Sequence, residues 1–389
     1  MRKVVLILAG CLALLAGLAL YLDLHRFLLP IPDELDAAIQ QQMDAAKIPG
    51  VSVAVIKNRQ IVFSKGYGVA DTQSRQAVGS DTLFTIASVS KPATGAALMR
   101  LYDQGRFQLD DDINPYLPFS VRNPAYPDVP ITFRMLLAHT SSIQDGPSYE
   151  ENYTLLSAPG REDSPIALGD YLRAYFTPGG QYNDPQKNFS GEKPGAAYEY
   201  SNVGFGLIGY LVEQISGQPF DQFCQEQIFA PLGMQHTRWF YRDVDKTRMA
   251  VPTTYTWWKR SYRPVGFYGF PTYPDGSLKT SASEYARLMA VYMYQGKTLE
   301  GQPFLKESTV AEMLTAQLAQ DAQSGLVWQL GNTIQHTGGD PGITAIAAFN
   351  PRKDIGIVIL TNGDGGEGPD ALRAILFLQR VTKLVAAHF

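Results

Sequence analysis

The chain has 389 residues, 45% of them apolar and 18% charged, with 35 Gly and 25 Pro. That composition is globular, because a disordered chain pairs low hydrophobicity with high charge. The net charge of −4 leaves no basic excess for a phosphate backbone and so excludes nucleic acid as the main partner. Five scattered His and two Cys exclude a zinc finger, a c-type haem site and a disulfide framework.

Residues 1–30 read as a signal-type segment. Arg2 and Lys3 precede Val4 to Leu22, which carries no charge. As a helix at about 1.5 Å per residue this run is about 28 Å long, close to the hydrocarbon core of a bilayer. The expectation is an uncleaved anchor through residues 4–22, with the rest of the chain on the outer, periplasmic side of a bacterial-type membrane. Cleavage near Gly17-Leu18-Ala19, releasing a soluble exported chain, and lipidation at Cys11 are the alternatives.

Leu35 to Ala46 then reads as an amphipathic helix ended by Pro49-Gly50. Val51 to Ile56 and Gln60 to Tyr67 read as a hairpin. The pattern turns helical from about 85 to 240, broken by a long Gly/Pro zone at 145–195 of the kind that is often functional. Leu278 to Tyr294 reads as a helix, Gln329 to Gln335, Ile343 to Asn350 and Ile355 to Thr361 as strands, and Asp370 to Ala387 as a closing helix. Strands at both ends of the chain predict one sheet flanked by helices, with a mostly helical lobe at about 80–275 inserted into an α/β lobe. The organisation expected is therefore an anchor at 1–30 and one domain at 31–389, with the site in the cleft between lobes.

Three short motifs carry chemistry. In Ser88-Val89-Ser90-Lys91 a helical turn puts the Lys amine on the same face as the Ser hydroxyl, and a Ser at a helix start has backbone N–H groups for an oxyanion. A Lys in a dry cleft can serve as base. In Tyr200-Ser201-Asn202 a phenol can relay a proton while the amide two residues on contacts substrate. In His336-Thr337-Gly338-Gly339 the glycines would let substrate backbone approach a strand end closely. Any one motif is weak; their order and spacing, about 110 and 135 residues apart, is far more specific.

The chain thereby resembles the serine β-lactamase and penicillin-binding-protein superfamily, in its class C β-lactamase, DD-peptidase and esterase branch. The likeness covers roughly residues 35–385, including Leu136-Leu137-Ala138-His139-Thr140-Ser141, Gly217 and Pro231-Leu232-Gly233-Met234. It implies a two-lobed β-lactamase/transpeptidase-like fold. It implies Ser88 as acylated nucleophile, Lys91 as its base partner and Tyr200 as proton relay. Asn202 becomes a substrate amide contact, and His336 takes the place of the third-motif Lys. The N–H groups of Ser88 and Gly339 become the oxyanion hole, with Thr337 and Gly338 on the same binding strand. No metal or organic cofactor is needed. Two departures stand out: His336 lacks the permanent cation that grips a substrate carboxylate, and Ser141-Ser142 replaces Ser-Gly. The expectation is an exported serine hydrolase acting on small cell-envelope peptides ending in D-amino acids, or on esters. A true β-lactamase and a catalytically silent scaffold are the alternatives.

Other features are set aside. Ser52 in Gly50-Val51-Ser52-Val53-Ala54 lacks the following helix that a nucleophile elbow needs. His139 reads as a partly buried loop anchor, and Cys224 as buried and inert. His25, His236 and His388 lack partners at metal-ligand spacing. The aromatic segment 239–273 reads as lobe packing, with a cleft wall or a contact surface as the sharper options.

Overall fold

In the computed structural model the residues described are Gly17, 25–149, 151, 162–256, 258–366 and 371–389. Apart from Gly17, the span 4–22 with Cys11 lies outside them, as do Pro159-Gly160 and Trp257. Among the described residues no helix is long and apolar enough to cross a membrane.

The elements used below are helix α1 (Leu35–Ala46), strands β1 (Gly50–Lys57), β2 (Gln60–Gly68) and β3 (Phe84–Thr85), and helices α2 (Lys91–Asp103) and α3 (Asn202–Ser216). Strands β4 (Thr253–Thr256), β5 (Ser261–Pro264) and β6 (Lys279–Thr280) follow, then helix α4 (Ala282–Met293). Strands β7 (Ile334–Asp340), β8 (Ile343–Asn350) and β9 (Ile355–Thr361) and helix α5 (Ala371–His388) complete the chain. The main sheet has the order β2-β1-β9-β8-β7 and every pairing in it is antiparallel. Both chain ends thus build one sheet, as the sequence predicts.

Central strands β1 and β9 are buried on both faces, which explains their nearly unbroken apolar sequences. Their side chains alternate between two cores. Val51, Val53 and Val55 join Ile357 and Ile359 beneath α1 and α5. Ala54, Ile56, Val358 and Leu360 face the larger core that includes α2, α3 and α4. Strand β7 is left at the sheet edge, and the candidate site forms there.

Three expectations need correction. The run Gln329 to Gln335 is not a strand: Gln329 and Gln335 exchange backbone hydrogen bonds of 2.9 and 3.0 Å across a turn through Gly331-Asn332. Strand β7 therefore begins at Ile334, and His336-Thr337-Gly338-Gly339 lies inside it rather than after it. The helix expected from Leu278 starts at Ala282, because Ser281 Oγ accepts the Glu284 N–H at 3.2 Å in a capping-box sequence. Lys279 and Thr280 before it pair instead with β3.

Candidate active site

Ser88 sits on a 3-10 turn, Ala87–Ser90, that leads into α2. At three residues per turn, positions i and i+3 eclipse, which sets Lys91 directly over Ser88. The Lys91 amine lies 3.0 Å from Ser88 Oγ. Ala87 adopts φ 48°, a left-handed conformation uncommon outside glycine, so the backbone is strained immediately before the serine. Neighbouring contacts hold this turn in place. Ser90 Oγ accepts the Leu278 N–H at 3.0 Å, and the Tyr285 hydroxyl donates to the Val89 carbonyl at 2.6 Å. Within the turn Ala87, Val89 and Ser90 are buried, while Ser88 is partly open.

Lys91 is fully buried. Besides Ser88 it meets Asn202 Oδ1 at 2.6 Å and the Asp275 carbonyl at 2.8 Å. Asn202 opens α3, and its Nδ2 donates to Asp145 Oδ2 at 2.8 Å. Asp145 also accepts the backbone N–H groups of Asn202 and Val203 at 2.8 and 2.9 Å, an acid placed on a helix N-terminus. Burial pushes the Asp145 carboxyl above its usual value, against these hydrogen bonds and the charge of Lys91. With its NH₂ fixed on a carboxylate, the Asn202 amide must present oxygen to Lys91. Both ends of that amide are thus engaged inside the protein, by Lys91 and by Asp145.

Tyr200 meets Lys91 through its ring, with the amine 4.8 Å from the ring centroid, rather than through a hydrogen bond from its hydroxyl. The ring also stacks on His139, with centroids 4.3 Å apart and an interplanar angle of 28°. His139 Nδ1 accepts the Ser201 N–H at 3.0 Å, and its backbone carbonyl accepts the Glu199 N–H at 2.6 Å. Burial holds this imidazole well below its usual pKa, so it is neutral with the proton on Nε2. The expected loop anchor is therefore the clamp on the Tyr200-Ser201-Asn202 turn.

Along β7, His336 and Gly338 are buried while Thr337 and Gly339 are exposed. A Cβ on Gly338 would lie 2.5 Å from the Ile86 carbonyl oxygen and 3.1 Å from the Ser88 nitrogen. This glycine admits the protein's own serine turn, not the substrate. Gly339 has open space around it and is the glycine past which a ligand can lie. The His336 Nδ1–H donates to the Thr337 carbonyl at 2.8 Å. Burial first, and the charge of Lys91 second, push its pKa down to about 3, so the ring is neutral at pH 7.

Ser88, His139, Tyr198, Tyr200, His336, Thr337 and Gly339 share one cavity of about 420 Å³, a size that suits a small-molecule ligand. Its remaining wall comes from Gln335 and from the stretch Asp321 to Gln329, including Trp328. Sequence reasoning missed this wall, and it also missed Asp145. The signals present were an isolated Trp beside Gly325 and an Asp-Gly pair just beyond the His139 stretch. Among the described residues, neither 145–195 nor 239–273 lines the cavity. Trp239, Tyr241, Tyr268, Phe270 and Tyr273 are buried, as in the packing reading, whereas Trp258 is 71% exposed on the β4–β5 hairpin. Ser52 is buried within β1 and Cys224 is buried.

Comparison with known proteins places these residues in context. The family model described as Beta-lactamase matches residues 35–380. A putative D-alanyl-D-alanine carboxypeptidase from Escherichia coli O157:H7 is 27% identical over 375 residues, covering 85% of this chain and 82% of that one. The octameric penicillin-binding protein homologue from Pyrococcus abyssi superposes with a TM-score of 0.73 at 23% identity, over 90% and 77% of the two chains. The D-amino acid amidase from Ochrobactrum anthropi SV3 superposes with 0.71 at 19%, over 91% and 99%. The chain spans 62% of the length of several Staphylococcus aureus relatives that it matches at 23–24% identity.

Proposed function

The chain belongs to the beta-lactamase family, and from that premise we propose that it is a serine hydrolase working through an acyl-enzyme on Ser88. One observation carries the reading: a fully buried amine lies 3.0 Å from an accessible serine hydroxyl at the floor of a cavity. In the role of base, Lys91 directs two N–H bonds at Asn202 Oδ1 and the Asp275 carbonyl, which turns its remaining lone pair to Ser88 Oγ. The Ser88 hydroxyl then donates its proton to that amine as Oγ bonds to the substrate carbonyl carbon.

The oxyanion rests on the N–H groups of Ser88 and Gly339, and the Ser88 nitrogen lies against Gly338, next to Gly339 on the edge strand. Collapse of the tetrahedral intermediate breaks the bond to the leaving amine or alcohol, which takes up a proton through Lys91 and the adjacent Tyr200. Water then adds to the acyl-enzyme and releases the acid. Asp145 and His139 act as positioning residues, the first fixing the Asn202 amide and the second the Tyr200 ring.

The substrates are small amides or esters, such as D-amino-acid derivatives of the cell envelope. The relative with the carboxypeptidase name and the amidase fold neighbour support that class. Penicillin turnover is disfavoured, because a neutral His336 supplies no cation for the drug's carboxylate. Export and anchoring through residues 4–22 belong to the same reading, and membrane fractionation tests them. The reaction itself is tested by intact-mass analysis after incubation with a fluorophosphonate, in which Ser88 Oγ bonds to phosphorus and fluoride leaves. A single adduct mapping to Ser88 is expected. A folded protein with no adduct there overturns the proposal.

A further inference from the structure

The charge of the cavity around Ser88 narrows the substrate further. Among the described residues that line it, Asp321 is the only acid and there is no Lys or Arg, while burial holds His139 and His336 neutral. Among the described residues the nearest basic side chain is Lys91, whose amine is buried beneath the floor and engaged by Ser88, Asn202 and Asp275. Among the described residues a substrate carboxylate would therefore meet no cation free to grip it, and it would meet the carboxyl group of Asp321.

The cavity offers the opposite ligand a built surface. Tyr198 and Tyr200 are 48% and 37% exposed and line the same space. Asp321 lies close enough to Tyr198 that its charge, after burial and Tyr200, helps push that phenol up to about 12. A carboxylate beside exposed phenol rings suits an ammonium group, which gains ion pairing from the first and cation–π attraction from the second.

We propose that the acyl part of the substrate carries a positively charged amino group and that Asp321 receives it while the carbonyl lies at Ser88. The substrate class is then an amino-acyl amide or ester with a free amine, rather than a peptide read by its terminal carboxylate. This rests on the acyl-enzyme reading above. It adds a specificity-determining residue from the stretch between the helix Glu307–Met313 and β7.

The test uses the full chain with three alanine p-nitroanilides of each hand: free amine, N-acetyl and N-succinyl. At low salt the free-amine substrate should lead the acetylated one in kcat/KM by about tenfold or more and the succinylated one by about a hundredfold. The lead should shrink in 0.5 M salt. Asp321→Asn should bring the free-amine to acetyl ratio to within about threefold, and Asp321→Lys should turn the preference toward the succinyl compound. Protection of Ser88 from the fluorophosphonate by the corresponding alaninamides should follow the same order, and labelling of both variants reports that the site is folded. A wild-type preference for the succinyl substrate, or a ratio unmoved by Asp321→Asn, overturns the inference. Failure of wild-type Ser88 to label overturns the acyl-enzyme reading and this inference with it. Labelling without any amine preference overturns the inference alone.

Discussion

Lys91 and Lys279 are the two fully buried lysines among the described residues, and they sit in opposite surroundings. Lys279 gives its amine to the Trp239 carbonyl at 2.9 Å and to Ser277 Oγ at 2.8 Å, over the Tyr241 ring at 3.9 Å. Burial pushes its pKa down to about 7. Lys91 has a hydroxyl that opens to the cavity, and two carboxyl groups, the half-buried Asp145 and the buried Asp275, lie within reach of its charge. Burial alone thus gives an amine that can lose its proton near neutrality. Chemistry needs in addition a nucleophile in reach and partners that aim the lone pair. Lys91 has these; Lys279 braces the β3–β6 pairing just ahead of Ser88.

Substitutions that separate the two environments sharpen this contrast. Ser88→Ala removes the nucleophile that Lys279 lacks and Lys91 has, and turnover should fall by about 10⁴-fold or more in steady-state assays. Asp145→Asn leaves Asn202 free to rotate and to present NH₂ to Lys91. A loss of about 10- to 100-fold is expected in kcat with little change in KM, since the damage is to alignment and not to binding. A change confined to KM would remove Asp145 from the positioning role.

Lys279→Met should move activity by less than about threefold. Its effect belongs to stability against pH. The folded amine titrates near 7 and the unfolded one near 10.5, so between those values the unfolded chain binds more protons and stability rises with pH. The difference between wild type and Lys279→Met in urea unfolding should rise across that window by up to about 1.4 kcal/mol per pH unit. A flat difference would mean that the amine is not desolvated.

His336 works in the acid range. Its folded pKa of about 3 against about 6.5 unfolded means that stability is lost as pH falls below 6.5. The difference between wild type and His336→Gln should narrow from pH 6.5 downward by a similar slope. A difference independent of pH would place the ring in water.

The same contrast shows what the sequence could reveal. β1 and β9 were legible because burial on both faces writes a continuous apolar run. Ser88 and Lys91 were legible because one turn of helix joins them. Tyr200, Asn202 and His336 were legible only through their order along the chain, and the internal partner of Asn202 was not legible at all. Its amide is fixed by Asp145, 57 residues away, and no local pattern encodes that hydrogen bond. The Asp321 to Gln329 wall was illegible for the same reason, since its residues acquire meaning only where the loop folds back against β7. Lys279 was misread as helix because a short apolar run before a capped helix has no periodicity of its own.

The central claim is that Lys91, held by Asn202 and Asp275, activates Ser88. It is tested most directly by the rate of Ser88 labelling by a fluorophosphonate as a function of pH, in wild type and in Lys91→Met. The wild-type rate should follow a single basic group, and Lys91→Met should lower it by about 10²- to 10⁴-fold and erase that pH dependence. A Lys91→Met protein that is folded and labels Ser88 within about threefold of wild type, with the same pH profile, would contradict the account.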